Sequence, residues 1–274
     1  MNTFPVYLKD HFAELAGHES NPVLTAFLHD EPGRAVGKRP CILILPGGGY
    51  HCTSPREGAP IARRFFEEGF NAFVLEYSTE IGDYPKQLIE TAASVELICQ
   101  KASEWGCDET KIAILGFSAG GHLAAHYSNA YDIPEVRSVF PDSRPVNASV
   151  LCYPVITAEP EQYHFGSFVN LLGRENITRE EIDRLSCEKL VTAETPPAFI
   201  WHTASDEIVP AANSILYAEA LADKGIPFEL HIYPFGKHGL ATADNETNEN
   251  LTAGEKLAAG WIRDAAAWLK VIFG

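Results

Sequence analysis

The sequence contains no long apolar segment. Among its 274 residues, no apolar run reaches the roughly 18 residues that a membrane-spanning helix needs. The first ten residues also lack the apolar core of a secretion signal. From these two absences we expect a cytoplasmic protein without a membrane partner.

Basic residues are scarce as well. The chain holds 21 Lys and Arg against 37 Asp and Glu, which gives a formal net charge of −16 at pH 7. A surface of that sign repels polyanions on average, so the composition argues against a nucleic-acid partner. The expected partner is therefore a small molecule.

Cofactor and metal motifs are also missing. The six cysteines form no CxxC pair, and neither GxGxxG nor the phosphate-binding GxxxxGK(S/T) pattern occurs. His122 and His126 have the helical spacing of a zinc site, but Leu123 stands where an HExxH motif has its glutamate. The sequence thus predicts neither a cofactor nor a metal.

Apolar stretches alternate with segments of helical periodicity. Between residues 86 and 105, apolar side chains recur at spacings of three and four, which indicates one long amphipathic helix. Strands that are apolar throughout and separated by helices are typical of a parallel sheet covered on both faces. We therefore predict an α/β fold with a mostly parallel central sheet. The predicted strands are 41–45, 71–77, 111–115, 148–153, 198–202 and 228–233.

No internal repeat or low-complexity linker divides the chain, so we predict a single domain over residues 1–274. The segment 159–194 interrupts the alternation, with apolar side chains followed by a charged stretch. Because insertions at the carboxyl edge of an open α/β sheet border the ligand site, we interpret 159–194 as a lid-like insertion. Its apolar residues would alternatively serve a homodimer contact. Further helices are predicted at 62–68, 119–128, 211–224 and 257–269.

The pentapeptide GFSAG at 116–120 follows the predicted strand 111–115 and precedes an Ala- and Leu-rich segment. This order predicts a nucleophile elbow, in which the serine lies on a tight strand-to-helix turn. Glycines two residues to either side avoid a collision in so sharp a bend. Ser118 is thus the candidate nucleophile, and a simple helix cap is the alternative.

A serine hydroxyl needs a base to become nucleophilic, and the base needs an orienting acid. After a nucleophile elbow these follow in the order acid, then histidine. Asp206 comes just after the predicted strand 198–202, and His238 comes just after 228–233, so both are expected at the edge that holds Ser118. Glu207 stays open as an alternative acid. Other histidines near the site or inside strands receive no catalytic role: His51, His122, His202 and His231.

Glycines 47–49 follow the predicted strand 41–45 and supply backbone N–H groups at the same edge. The oxyanion of a tetrahedral intermediate needs preorganised donors of this kind. We predict an oxyanion hole formed by Gly48, Gly49 and, at the start of the helix, Ala119. A phosphate-binding glycine loop is the alternative, but no accompanying motif supports it.

Together these motifs resemble the α/β-hydrolase superfamily, on the branch of hormone-sensitive-lipase-like esterases, and within it the acetyl xylan esterase-like hydrolases. The likeness rests on LPGGGY at 45–50, SPREGAP at 54–60, AFVLEY at 72–77, KIAILGFSAGGHLA at 111–124, DEIVP at 206–210 and GKHG at 236–239. Position 46 departs from the His-Gly-Gly-Gly of many lipases, since the acetyl esterase-like branch has proline there. The resemblance implies a nucleophile, acid, base and oxyanion loop at Ser118, Asp206, His238, Gly48 and Gly49.

The resemblance further implies a serine carboxylic-ester hydrolase that works through an acyl-enzyme. Short acyl groups, acetyl first, on a carbohydrate or similar alcohol are the expected substrates. Tyr50 and Tyr153 are candidates to line the acyl or sugar pocket, with a packing role as an equal alternative. Arg56 and Glu57 are interpreted as a pair near its mouth. A peptidase or amidase of the same fold, and a non-catalytic member that binds a small ligand, stay open.

Overall fold

A sheet of eight strands forms the centre of the computed structural model, which describes residues 1–17, 19–30, 37–162 and 164–274. The strands are Asn2–Tyr7 (β1), Val23–Leu28 (β2), Arg39–Leu45 (β3), Asn71–Glu76 (β4), Cys107–Phe117 (β5), Ala148–Cys152 (β6), Ala198–Thr203 (β7) and Phe228–Tyr233 (β8). Their order is β1-β2-β4-β3-β5-β6-β7-β8. Strands β3 to β8 run parallel, whereas β1 and β2 pair antiparallel with their neighbours. The predicted fold class is confirmed.

Helices cover both faces of the sheet, with bounds Ala59–Glu67 (α1), Lys86–Gln100 (α2), Ala102–Trp105 (α3), Ser118–Ala130 (α4), Pro134–Arg137 (α5), Phe165–Leu172 (α6), Arg179–Leu185 (α7), Ala212–Asp223 (α8) and Trp261–Phe273 (α9). Neighbouring residues of β3 face two different apolar cores. Leu43 faces the core that includes α2, α4 and α8, and Ile44 faces the core that includes α1 and α9. Because both faces are buried, such strands are apolar at nearly every position. Over the described ranges, no helix has the length and apolar character to cross a bilayer.

The structure differs from the prediction in two helices and in the strands before residue 41. The segment 86–105 forms two helices, because Lys101 leaves helical geometry (φ −94°, ψ 5°) between α2 and α3. The last helix begins at Trp261 and follows a short 3-10 turn over Glu255–Gly260. The sequence also predicted no strand before residue 41. Strand β1 gave no signal because it lies at the edge of the sheet, exposes most of its residues and contains Pro5.

Candidate active site

The loops that follow β3, β5, β7 and β8 meet at one edge of the sheet. These strands are parallel, so their carboxyl ends face the same way. The glycine loop, residues 46–50, follows β3, and Ser118 follows β5 directly. Asp206 follows β7 and His238 follows β8. The fold thereby brings together side chains that are up to 120 positions apart in the sequence.

The turn from β5 into α4 has no intervening loop. Ser118 adopts a left-handed backbone conformation (φ 51°), which stores strain and is uncommon for a residue with a side chain. A Cβ added to Gly116 would lie 2.0 Å from the carbonyl oxygen of Gly120, and one added to Gly120 would lie 2.2 Å from that of Leu45. Only glycine fits at these two positions. The Gly-x-Ser-x-Gly spacing is needed because the backbone at Gly116 packs against Gly120, and Gly120 packs against the end of β3. This is the arrangement of a nucleophile elbow.

Ser118, His238 and Asp206 form a continuous hydrogen-bonded row. His238 Nδ1 lies 2.6 Å from Asp206 Oδ2, and His238 Nε2 lies 2.8 Å from Ser118 Oγ. When Nδ1–H donates to the carboxylate, Nε2 is left to accept the hydroxyl proton, which is the arrangement for general-base activation of an alcohol. Glu207, the alternative acid, is exposed, and within the described ranges it makes no hydrogen bond to His238. Of the two adjacent carboxylates, Asp206 is the one that contacts His238 in the part of the chain that the structure describes.

Asp206 accepts hydrogen bonds from several directions. The backbone N–H groups of Ile208 and Val209 each donate to Oδ1 at 2.9 Å. Burial by itself raises the pKa of this carboxyl, but the bonds from His202 and His238 outweigh burial and hold the pKa below its usual value. Asp206 is therefore ionised at neutral pH. His202, which receives no catalytic role from the sequence, is fully buried, with Nε2 3.3 Å from Asp206 Oδ2.

The glycine loop lies directly beside Ser118. A Cβ added to Gly47 would be 3.0 Å from Ser118 Cβ. The Gly47 N–H already donates to the Glu57 carboxylate at 2.9 Å, whereas the N–H groups of Gly48 and Gly49 have no acceptor among the described residues. The amide of the residue after Ser118 lies in the first turn of α4, where backbone donors have no partner within the helix. Amides so placed are suited to receive an oxyanion.

The Glu57 carboxylate connects the glycine loop with the loop that carries His238. Glu57 is only 5% exposed. Besides the Gly47 N–H, the Tyr153 hydroxyl donates to it at 2.7 Å, and that hydroxyl in turn accepts from the N–H of Ala241 at 2.9 Å. Burial raises the pKa of Glu57, and the bonds from Tyr153 and Gly47 offset only part of the rise. A buried chain of hydrogen bonds thus fixes the distance between two loops of the site.

Arg56 does not form the predicted pair with Glu57. Its guanidinium instead donates to the loop that follows His238: to Gly239 O at 3.0 Å, to Thr247 O at 2.7 Å and to Asn248 Oδ1 at 2.6 Å. These partners lie 183 to 192 positions away in the sequence. The neighbours Arg56 and Glu57 therefore stabilise different parts of the site: Glu57 bonds to the glycine loop, and Arg56 bonds to the loop after His238. Their opposite charges alone did not indicate this.

Both tyrosines that were candidates for the substrate pocket, Tyr50 and Tyr153, are only 1% exposed. The Tyr50 hydroxyl lies 2.8 Å from His122 Nδ1, and His122 Nε2 lies 2.8 Å from Leu185 O. Burial lowers the pKa of His122 to about 4, so the ring is neutral at pH 7 and accepts the Tyr50 proton. The Tyr153 hydroxyl is engaged with Glu57 and Ala241. These contacts favour the packing alternative for both tyrosines.

Replacing Tyr50 with Phe is expected to leave KM for p-nitrophenyl acetate unchanged and to lower the free energy of unfolding by about 1 to 2 kcal/mol, because buried His122 loses its donor. Steady-state kinetics and thermal unfolding measure the two quantities. A severalfold rise in KM at unchanged Tm would return Tyr50 to the substrate pocket.

Helix α6, within the predicted insertion 159–194, lies over the glycine loop. Asn170 Nδ2 donates to Gly49 O at 2.8 Å. At the start of the same helix, His164 Nδ1 lies 2.8 Å from Ser167 Oγ. Burial lowers the pKa of His164, and the charge of His238 lowers it further. The insertion therefore borders the site, and its movement as a lid stays a prediction.

Two family models match this chain. The BD-FAE model matches residues 31–221, and the model of the Dienelactone hydrolase family matches residues 184–272. The chain belongs to the BD-FAE family of carboxylesterases, within the α/β-hydrolase superfamily. The resemblance stated from the motifs is thereby confirmed.

Relatives of this BD-FAE chain include two proteins whose names refer to xylan. It is 40% identical to Endo-1,4-beta-xylanase B of Butyrivibrio fibrisolvens, over 85% of this chain and 37% of that protein. It is 32% identical to Acetylxylan esterase of Xylanibacter ruminicola, over 79% of this chain and 43% of that protein. The BD-FAE chain thus spans less than half the length of these relatives.

Two solved structures are similar to the BD-FAE chain over nearly their whole length. The acetyl ester-xyloside bifunctional hydrolase from Caldicellulosiruptor lactoaceticus has a TM-score of 0.85 at 32% identity, over 98% of this chain and 96% of that one. A carboxylesterase from Lactobacillus plantarum has a TM-score of 0.83 at 30% identity, over 99% and 98%. The enzyme class predicted from the sequence, a carboxylic ester hydrolase, is the class of this family.

Proposed function

We propose that this chain is a serine esterase in which Ser118 is the nucleophile, His238 the general base and Asp206 the orienting acid. The observation that carries the proposal is their hydrogen-bonded row, at 2.8 Å and 2.6 Å, beside a loop whose Gly48 and Gly49 amides have no acceptor among the described residues. On several unrelated folds, a serine hydroxyl is activated in this way: it is hydrogen-bonded to an imidazole, which is hydrogen-bonded to an ionised carboxylate. The roles therefore rest on geometry and charge, and the family supports them.

The reaction follows from this geometry in two halves. His238 Nε2 takes the Ser118 proton while Oγ attacks the ester carbonyl carbon, and the amides of Gly48, Gly49 and Ala119 stabilise the oxyanion. The imidazolium then protonates the alkoxide oxygen as the carbon–oxygen bond breaks, which leaves an acyl-enzyme. In the second half, His238 takes a proton from a water molecule, which attacks the acyl carbon; the imidazolium then returns a proton to Ser118 Oγ as the carboxylic acid leaves. One such amide donor contributes about 3 kcal/mol to lowering the barrier.

We assign the substrate to short acyl esters, acetyl first, of a carbohydrate or similar alcohol. Support comes from the similarity to a protein named Acetylxylan esterase and to an acetyl ester-xyloside bifunctional hydrolase. The hydrogen bond from Asn170 to Gly49 O is compatible with a short acyl group, because it holds helix α6 against the glycine loop.

Stoichiometric labelling with a fluorophosphonate tests the nucleophile. The folded protein is expected to bind one equivalent at Ser118, as located by peptide mass spectrometry, and the Ser118→Ala variant is expected to bind none. Absence of labelling in folded protein would contradict the proposal and favour the non-catalytic alternative.

A panel of p-nitrophenyl esters from acetate to octanoate, followed by acetylated xylo-oligosaccharides and a peptide amide, tests the substrate class. We expect kcat/KM to be highest for acetate, acetate release from the oligosaccharides, and no turnover of the amide. Equal rates along the ester series would contradict a small acyl pocket, and amide cleavage would favour the peptidase alternative.

A further inference from the structure

A groove adjoins the triad on the side of His238. It lies between the loops after β7 and β8 and the segment before α9, and its volume is about 560 Å³. That volume is within the range of small-molecule sites, about 300 to 1,000 Å³. Apart from His238, no residue that lines it has a role in the proposed mechanism.

The chemistry at His238 decides which half of an ester lies nearest this groove. The acyl half is bonded to Ser118 and points its oxygen at the glycine loop, which helix α6 borders through Asn170. The alcohol half must lie against His238, because His238 Nε2 protonates its oxygen as it leaves. The concave surface that continues from His238 is therefore the place for the alcohol.

The groove presents two large apolar side chains to solvent. Phe235 is 58% exposed and Ile208 is 56% exposed. The backbone at Gly254 packs against the Phe235 ring. A Cβ added to Gly254 would lie 2.9 Å from Phe235 Cδ2. A supported aromatic ring that remains open to solvent offers an apolar platform at low entropic cost.

A carboxylate stands beside this platform. Asp206 is occupied by His238 and by two backbone amides, but the adjacent Glu207 is exposed and has no hydrogen bond or ion pair within the described ranges. The other carboxylate of the groove, Glu255, already accepts from the N–H and hydroxyl of Thr252. Glu207 is thus available to accept hydrogen bonds from a ligand.

The geometry points to a neutral, polyhydroxylated alcohol, a sugar ring, as the occupant of this groove, an inference that rests on the proposed esterase function. A sugar ring has an apolar C–H face that suits Phe235 and hydroxyl donors that suit Glu207. An anionic alcohol is disfavoured because the groove sets two carboxylates, Glu207 and Glu255, against the ammonium of Lys237, and because the net charge of the chain is −16. A purely aliphatic alcohol would leave Glu207 without a partner. The groove is therefore the subsite that selects the sugar.

The test compares an acetylated xylo-oligosaccharide with vinyl acetate, whose alcohol part has only two carbons and no ring to stack on Phe235. The measured quantity is the ratio of kcat/KM for the sugar ester to kcat/KM for vinyl acetate. Phe235→Ala is expected to lower this ratio about tenfold, because only the sugar ester loses an aromatic contact. Glu207→Gln is expected to lower it about threefold, because a hydrogen bond to a charged acceptor is weakened.

Phe228→Ala is the matched control. Phe228 is a 37% exposed aromatic at the first position of β8, away from the carboxyl edge, and both kcat/KM values are expected to stay unchanged. An unchanged ratio in both groove variants would overturn the subsite, while hydrolysis by the unaltered protein would still support the esterase. Failure of the unaltered protein to hydrolyse either ester would overturn both proposals.

Discussion

Ester hydrolysis by an Asp206→Asn variant is expected to be about 10⁴-fold slower in kcat than that of the unaltered protein. The carboxylate keeps the His238 proton on Nδ1, so that Nε2 is free to accept from Ser118. An amide nitrogen facing Nδ1 favours the other tautomer, in which Nε2 carries the proton and cannot act as a base. Steady-state kinetics with p-nitrophenyl acetate measures the loss.

Asp223→Asn is the matched control for this variant. It removes an exposed carboxylate at the end of α8 and is expected to leave kcat unchanged. Thermal unfolding of both variants separates a loss of chemistry from a loss of fold. A folded Asp206→Asn protein that keeps most of its kcat would contradict the assignment of Asp206 as the orienting acid.

Strands β3 to β7 were predictable from the sequence because they are buried on both faces, whereas β8 lies at the edge of the sheet and has no buried residue. Parallel strands that are buried on both faces are apolar along their length, so each stands out against amphipathic helices. The meeting of Ser118, Asp206 and His238 was predictable because they come after β5, β7 and β8, and parallel strands put their carboxyl ends at one edge. Strand β1 had no comparable signal because only Val6 among its residues is buried.

The side chains that hold the triad and the glycine loop in place were not predictable. Glu57 stands next to Arg56, so local charge suggested a pair, yet the fold buries Glu57 against Tyr153 and turns Arg56 toward the loop after His238. His202 ends an apolar strand, and no spacing marks an imidazole there as a partner of Asp206. Such contacts depend on which loops meet in space, and a sequence pattern records only residues that are near one another along the chain.

Replacing Glu57 with Ala is expected to lower kcat about 10²-fold with little change in KM, which would identify it as a positioning residue. The substitution leaves the Gly47 N–H and the Tyr153 hydroxyl without their buried acceptor, at about 1 to 3 kcal/mol of stability for each. The glycine loop is then free to shift relative to Ser118, and a displacement of about 1 Å can cost 10²-fold in rate. An oxyanion contact that is made only in the transition state affects kcat and not KM.

Two further variants separate positioning from stability. Glu57→Gln keeps an oxygen for the Gly47 N–H but sets its amide group against Tyr153, whose hydroxyl oxygen already accepts from Ala241, so it is expected to recover only part of kcat. Glu188→Gln alters a half-buried carboxylate, which accepts a hydrogen bond from the Thr157 hydroxyl at 2.9 Å, and is expected to lower Tm without lowering kcat. If Glu57→Ala loses Tm while kcat of its folded fraction stays unchanged, the carboxylate stabilises the fold only and does not place the oxyanion loop.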